Sequence, residues 1–324
     1  MKAIVCEKFA PLEQLQYTDI PAPQAGPGQV VIDIKAIGVN YPDGLLVQGL
    51  YQIKPPFPFI PGSEVAGVVS AVGAEVTHLK TGDRVMAFCG LGGYAEKVAC
   101  DAANTLPIPE PIPDTQAAAL ITAHATAHHA LKQRAQLQPG ETLLVTGAAG
   151  GTGLAAVQIG KAMGATVIAA CSSAEKLATA RDNGADSSIN YSTQDLKSEI
   201  KNITDGKGVD VVYETVGGDI FDTCSRCVGW NGRLLVIGFA SGQIPKFPVN
   251  LALLKGYSVV GVFWGSFTTR QPREFAQNMR ELMQWYGEGK VKVVVDSALP
   301  LENASAALAR VMDRKVRGKV VLQP

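Results

Sequence analysis

Along the first third of the chain, short apolar runs alternate with turn residues. Val30-Val31-Ile32-Asp33-Ile34 and Val65-Ala66-Gly67-Val68-Val69 have the β-branched character of strands. Around them fall Pro21, Pro23, Gly26, Pro27, Gly28, Gly73 and Thr81-Gly82-Asp83. Frequent short strands bounded by Gly and Pro predict a compact β-rich domain. The pattern changes near Asp114. Residues 115–136 are Ala-rich and predict a helix, with Pro139-Gly140 as its stop.

From there, strand and helix patterns alternate. Strands are predicted at 142–146, 166–170, near Ser188-Ile189-Asn190, and at 209–213, 233–237 and 258–262. Helices fall at 153–163 and 174–183. Nearly continuous apolar strands in a βαβ rhythm imply a parallel sheet covered on both faces, and right-handed crossovers make it doubly wound. An amphipathic helix at 272–286, strands at 291–295 and 318–322, and a helix at 303–311 break this rhythm. The tail therefore reads as returning to complete the first domain. The expected division is 1–120 with 268–324 as one domain and 121–267 as the other.

The strongest local signal is Leu143-Leu144-Val145-Thr146-Gly147-Ala148-Ala149-Gly150-Gly151-Thr152-Gly153-Leu154. A Gly-rich turn leaves an apolar strand and opens a helix. Glycines let the backbone approach a pyrophosphate closely, and the helix N-terminus offers it free N–H groups and partial positive charge. A dinucleotide site that selects NAD has an acid at the end of the second strand to hold the ribose 2′-hydroxyl. Here the strand ends Ala169-Ala170-Cys171-Ser172-Ser173, without one. Ser172 can hydrogen-bond a 2′-phosphate and Lys176 can supply positive charge, so the pattern favours NADPH. The plain alternative is a solvated helix start capped by serine.

Composition narrows the function classes. Of 324 residues, 47% are hydrophobic and 18% charged, with a formal net charge of zero. No basic field exists to hold nucleic acid or an acidic membrane surface. Met1-Lys2-Ala3-Ile4-Val5-Cys6 opens without a signal-peptide apolar region, and no run is long enough to span a bilayer. A cytoplasmic protein is expected. Six thinly spread cysteines form no disulfide framework, and Cys224-x-x-Cys227 has no second pair for a four-thiolate zinc site. His124 and His128 have helical spacing that suits a metal, but without a third ligand they read as a helix-surface or domain-junction pair.

These residues resemble a family. Gly147 to Gln158, Ser172-x-x-x-Lys176 and Ile189-Asn190-Tyr191 are similar to the zinc-free, ζ-crystallin-like quinone oxidoreductase branch of the medium-chain dehydrogenase/reductases. So are Val39-Asn40-Tyr41-Pro42-Asp43, Pro61-Gly62-Ser63-Glu64-Val65-Ala66-Gly67, Gly82-Asp83-Arg84-Val85 and Gly92-Gly93-Tyr94-Ala95-Glu96. The resemblance implies an α/β fold: a GroES-like β-rich catalytic domain plus a Rossmann domain. It implies that Gly147, Gly150, Gly151, Thr152 and Gly153 hold the NADPH pyrophosphate, and that Ser172, Lys176 and Tyr191 surround the 2′-phosphate. Asn40 and Thr122 would lie near the nicotinamide ribose, with Gly238 and Phe239 closing over the cofactor. A homodimer through the sheet edge near 258–262 is the family expectation.

The departures from that pattern bear on mechanism. Zinc-binding relatives place a Cys and a Gly-His-Glu where Tyr41-Pro42-Asp43 and Gly62-Ser63-Glu64 stand here. Two of the required ligands are missing, so a metal is not expected. Leu45 stands in for a tyrosine of some bacterial relatives, and Thr152 for the usual valine. Without a Lewis acid the acceptor must already be electrophilic: a quinone, or the activated double bond of an enoyl thioester or alkenal. Tyr51 and Asn40 are the candidate catalytic residues. Tyr51 can donate a proton to a developing enolate, or it can be a packing tyrosine. Trp264 is a candidate cover residue or a core residue. A non-catalytic NADPH-binding protein is the competing class.

Overall fold

The computed structural model describes residues 1–110 and 112–324. Two units divide the chain, Met1–Thr122 with Val293–Pro324, and Ala123–Lys292. In chain order the elements are β1 (Lys2–Val5), β2 (Gln16–Asp19), β3 (Gln29–Val39), α1 (Tyr41–Val47), β4 (Glu64–Val72), β5 (Arg84–Phe88), β6 (Lys97–Asp101), β7 (Thr105–Pro107) and α2 (Asp114–His129). Then come β8 (Thr142–Thr146), α3 (Gly151–Ala162), β9 (Thr166–Cys171), α4 (Ala174–Asp182), β10 (Ser187–Asn190), α5 (Leu196–Ile203), β11 (Val209–Glu214), α6 (Gly218–Ser225) and β12 (Val228–Val236). They end with α7 (Asn250–Lys255), β13 (Ser258–Gly261), α8 (Trp264–Arg270), α9 (Pro272–Gly287), β14 (Val295–Pro300), α10 (Ala304–Met312) and β15 (Lys319–Gln323).

The first unit is built around β3. Its apolar residues Val30, Ile32, Ile34 and Ile37 are buried, and it pairs with β4, β6 and β15. The sheet order is β14-β15-β3-β4-β5-β7, antiparallel except for β14 and β15. Those two tail strands are parallel and joined through α10, so the GroES-like β domain does receive the C-terminal strands. A core containing Ile4, Ile32, Val65, Tyr94, Leu308 and Leu322 unites the two sequence segments.

In the second unit the order is β10-β9-β8-β11-β12-β13, all parallel. Leu143, Leu144 and Val145 are all fully buried, as strands covered on both faces require. This is the Rossmann arrangement. The strand order reverses between β8 and β11, and ligands bind such sheets outside the carboxyl ends at that switch point.

The tail differs from expectation in one respect. The return to the first unit, expected at 268, begins at Val293. Amphipathic periodicity says that a helix has an apolar face, not which core receives it. On α9, Phe275, Met279 and Leu282 are buried. Glu281 accepts from Lys132 and pairs with His128 at 2.8 Å, and Asn278 exchanges amide hydrogen bonds with Gln133 at 2.9 and 3.1 Å. These contacts hold α9 in the second unit. Expected strand 291–295 starts late, at Val295; upstream of it the Lys292 N–H donates to Gln158 on α3.

Further expectations resolve here. The helix expected to Gln136 is α2 as far as His129, followed by a π-type turn at Ala130–Arg134. Trp264 is buried edge-to-face against Phe275, so it is a core residue. His124 and His128 are buried, not on the helix surface, and burial pushes the His128 imidazole down to about 4. All six cysteines are free thiols, and Cys224 and Cys227 are buried. Among the described residues, no helix is long and apolar enough to cross a membrane.

Candidate functional site

At the switch point of the second unit, the chain leaves β8 and turns into α3. Gly147 has φ +58°, and a Cβ there would lie 2.6 Å from Thr215 Oγ1. A Cβ on Gly153 would lie 2.2 Å from Gly147 O. Those two glycines are fixed by close packing of the turn. Gly150 is different: a Cβ there would meet only Gly147 O at 3.4 Å. The chain itself leaves this space open, and Gly150 caps α3 without a side chain. The first N–H groups of a helix have no intrahelical acceptor. Open cradle and uncapped helix end together fit a pyrophosphate.

The turn is braced from behind. Thr152 Oγ1 hydrogen-bonds Ala123 O at 3.2 Å and the buried Tyr213 hydroxyl at 2.5 Å. The Thr152 hydroxyl thus has polar partners that an apolar side chain could not use. Thr215 donates to Thr146 through both its N–H and its hydroxyl, each at 2.9 Å. Glu214, at the end of β11, accepts from Thr146 Oγ1 and from the N–H groups of Val216 and Gly217. Burial raises its carboxyl, against those hydrogen bonds. Residues 237–241 run beside this loop: Ala240 donates to Thr215 O and Ser241 to Val216 O. Gly238 and Phe239 are half-buried on that segment, and a Cβ on Gly238 would approach nothing closer than 3.7 Å.

β9 ends where the sequence places a 2′-phosphate site. Cys171 pairs with Asn190, and the Tyr191 N–H donates to Cys171 O at 3.1 Å. This pairing sets Tyr191 beside Ser172. Ser173, not Ser172, caps α4 by accepting from the Lys176 N–H. Ser172 is left exposed, and Lys176 is half-buried on the first turn of α4. Residues 169–173 contain no carboxylate.

In the first unit, sheet register gathers a second polar group. Gly38 on β3 faces Glu64 on β4, and Val39 faces Val320 next to Lys319 on β15. A Cβ on Gly38 would lie 2.2 Å from Glu64 Oε1, so only glycine leaves room for that carboxylate. Glu64 is fully buried. Its Oε1 accepts from Lys319 Nζ and from Asn40 Nδ2, both at 2.8 Å, and its Oε2 accepts the Thr122 N–H at 2.7 Å. Lys319 also donates to Asn40 Oδ1 at 2.6 Å and Val39 O at 3.0 Å. The Thr122 hydroxyl is buried without a hydrogen-bond partner. Such an orphan fits a ligand hydroxyl.

Beside this group, Asp43 Oδ2 accepts the Asn40 N–H at 2.9 Å and the Tyr94 hydroxyl at 3.1 Å. Burial pushes the Asp43 carboxyl up to about 7, against the Asn40 N–H, Lys319 and Tyr94. Half-buried Tyr51 has its phenol raised by burial and by the Asp43 charge. Asn40 Nδ2 and the Thr122 N–H both donate to the Glu64 carboxylate. Lys319, Tyr94, Glu214 and Tyr213 were not singled out from sequence. Lys319 opens an apolar strand, where a lysine ordinarily reads as a solvated end.

Two family models match the chain: the alcohol dehydrogenase GroES-like domain over residues 26–110 and the zinc-binding dehydrogenase over residues 151–285. The quinone oxidoreductase-like protein 2 homolog of Nematostella vectensis is 40% identical over 300 residues, covering 92% of this chain and 82% of that protein. The quinone oxidoreductase of Pseudomonas aeruginosa is 37% identical over 316 residues, 96% of each. The crystal structure of Escherichia coli quinone oxidoreductase complexed with NADPH aligns over 100% of both chains at 32% identity, with a TM-score of 0.95.

The zinc of the second description does not fit the donors present. Pro42 and Ser63 offer no imidazole or thiolate, and both Glu64 oxygens are engaged by protein donors. Among the described residues, no three His, Cys, Asp or Glu side chains converge on a metal-sized site.

The raised Asp43 carboxyl has a measurable consequence. In the unfolded chain it titrates near 3.8, and in the folded chain near 7. Between these values the folded state holds a proton that the unfolded state has lost, so this group's contribution to stability falls as pH rises through the window. Asp43→Asn lacks the titration. Urea midpoints of wild type relative to the variant should decline from pH about 4 to about 7 and level off above. A constant difference would remove the claim.

Proposed function

Because the chain belongs to the quinone oxidoreductase branch of the medium-chain dehydrogenase/reductase superfamily, we propose that it is a zinc-independent, NADPH-dependent oxidoreductase whose acceptor is a quinone. The observation that carries the cofactor choice is the carboxylate-free end of β9, where Ser172 follows Cys171 and Tyr191 follows its strand partner Asn190, with Lys176 on the first turn of α4. An acid there would repel a 2′-phosphate; a serine hydroxyl and a lysine attract it. Relatives that carry the quinone oxidoreductase name, and one solved with NADPH, support the same reading.

In this reading Gly147, Gly150, Gly151, Thr152 and Gly153 bind the pyrophosphate through backbone N–H groups. Asn40 and the Thr122 hydroxyl hold the nicotinamide ribose, and Gly238 and Phe239 pack over the cofactor. NADPH, when bound, supplies the hydride. With no cation to polarise a simple ketone, the acceptor must delocalise the charge it receives. A quinone does so as a phenolate. Tyr51 serves the acceptor oxygen: its raised pKa keeps the phenol protonated and able to donate. The Asp43 carboxyl lies close enough to influence it.

The reading also includes a homodimer. β13 is the outer strand of its sheet, and Val249, Leu253, Leu254 and Phe263 near it are exposed. A bare strand edge with apolar neighbours invites pairing with a second copy. Light scattering should return twice the chain mass, and a monomer at micromolar concentration would exclude it.

Lys176→Glu should weaken NADPH by about ten- to a hundredfold, as loss of a charge-assisted contact implies, and leave NADH nearly unchanged. Equal loss of both would remove Lys176 from the 2′-phosphate site. NADPH oxidation should be followed with 1,4-benzoquinone, crotonyl-CoA and 2-alkenals. The reading expects benzoquinone to be the best acceptor. Preference for crotonyl-CoA or alkenals would make the chain a double-bond reductase, and NADPH binding without turnover of any acceptor a non-catalytic binder. Tyr51→Phe should lower kcat on the best acceptor by about a hundredfold with KM little changed, while an unchanged kcat would make Tyr51 a packing residue.

A further inference from the structure

Lys319 and Glu64 have no chemical task in the reading above, yet their side chains are only 5% and 0% exposed. A buried ion pair is costly unless further hydrogen bonds satisfy both groups. Here all three Lys319 donors are used, on Val39 O, Asn40 Oδ1 and Glu64 Oε1. The pair reaches outward through two residues. Asn40 is held at both ends of its amide, its oxygen by the ammonium and its nitrogen by the carboxylate. Turning that amide over would set NH2 against the ammonium and oxygen against the carboxylate, so only one orientation survives. Glu64 Oε2 takes the N–H of Thr122, the residue whose hydroxyl is buried without a partner. Gly38 is what admits the carboxylate to this position.

We propose that Lys319 and Glu64 are positioning residues whose buried ion pair fixes the Asn40 amide and the backbone at Thr122, so that both present their polar groups to the nicotinamide ribose. The inference rests on the dinucleotide reading given above. The ion pair touches no ligand; it acts through Asn40 and Thr122. Its removal should therefore weaken only that part of the dinucleotide that reaches those two residues.

The test is calorimetric titration with NADPH and with 2′,5′-ADP, which keeps the adenosine 2′-phosphate and lacks the nicotinamide ribose. The main variant is Glu64→Gln with Lys319→Met. It is neutral and close in volume, and a matched neutral replacement of a buried pair is often tolerated in folding. The double variant is expected to bind 2′,5′-ADP as wild type does and NADPH about tenfold more weakly, the scale of one lost hydrogen bond. Glu64→Gln alone keeps Lys319 on Val39 and Asn40 and should fall between. Unchanged NADPH affinity in a double variant that melts like wild type overturns the proposal, because the pair is then only structural. Parallel loss of 2′,5′-ADP also overturns it, since the effect is then not local. If the double variant does not fold, Glu64→Gln decides, and wild-type NADPH affinity in it is contrary. Wild-type protein that binds 2′,5′-ADP and NADPH no better than unphosphorylated analogues would fail the dinucleotide reading first, which separates the two failures.

Discussion

A carboxylate sealed from water must be neutralised or must find donors, and Glu64 finds Lys319, Asn40 and the Thr122 N–H. Much of the first unit follows from that requirement. Position 38 must be glycine, because any Cβ would occupy the space of the carboxylate. The tail must return to β3, because its last strand brings the ammonium. Asn40 is oriented by the same network, and its N–H in turn donates to Asp43. With Glu64 fully engaged, a divalent cation would have to displace an ammonium already making three hydrogen bonds. Metal-dependent chemistry is disfavoured here by the donor set that fills the place.

The second unit supplies a different kind of order. Its parallel sheet delivers the ends of β8, β9, β11 and β12 to one edge, and buried polar groups behind them fix the loops. Glu214 holds Val216 and Gly217 from within, while Thr146 and Thr215 lock two strand ends together. Tyr213 braces the first turn of α3 through Thr152. The glycine turn can then leave space at Gly150 without becoming loose, because its flanks are held by hydrogen bonds and by the close packing of Gly147 and Gly153.

What the sequence disclosed was local. The βαβ rhythm, the glycine turn and the acid-free end of β9 each occupy a few consecutive residues, and short-range chemistry governs them. Asn40 and Thr122 share the Glu64 carboxylate, a link that their 82-residue separation hides from short-range chemistry. The Lys319–Glu64 pair was not legible, since 255 positions separate its members and sheet register alone brings them together. A lysine before Val320-Val321-Leu322 has the appearance of a solvated strand end. α9 was misassigned to the first unit for a related reason. Its apolar stripe is visible in sequence, but its partners Lys132, Gln133 and His128 lie on distant residues that periodicity cannot connect.

An ammonium, and not a metal, neutralises the buried carboxylate, and the proposed oxidoreductase activity accordingly needs no Lewis acid. The direct measurement is quinone-dependent NADPH oxidation before and after exhaustive dialysis against a strong chelator, with metal content followed in parallel. Undiminished turnover in metal-free protein is the expected result. Turnover that disappears with the chelator and returns with stoichiometric zinc would contradict the account.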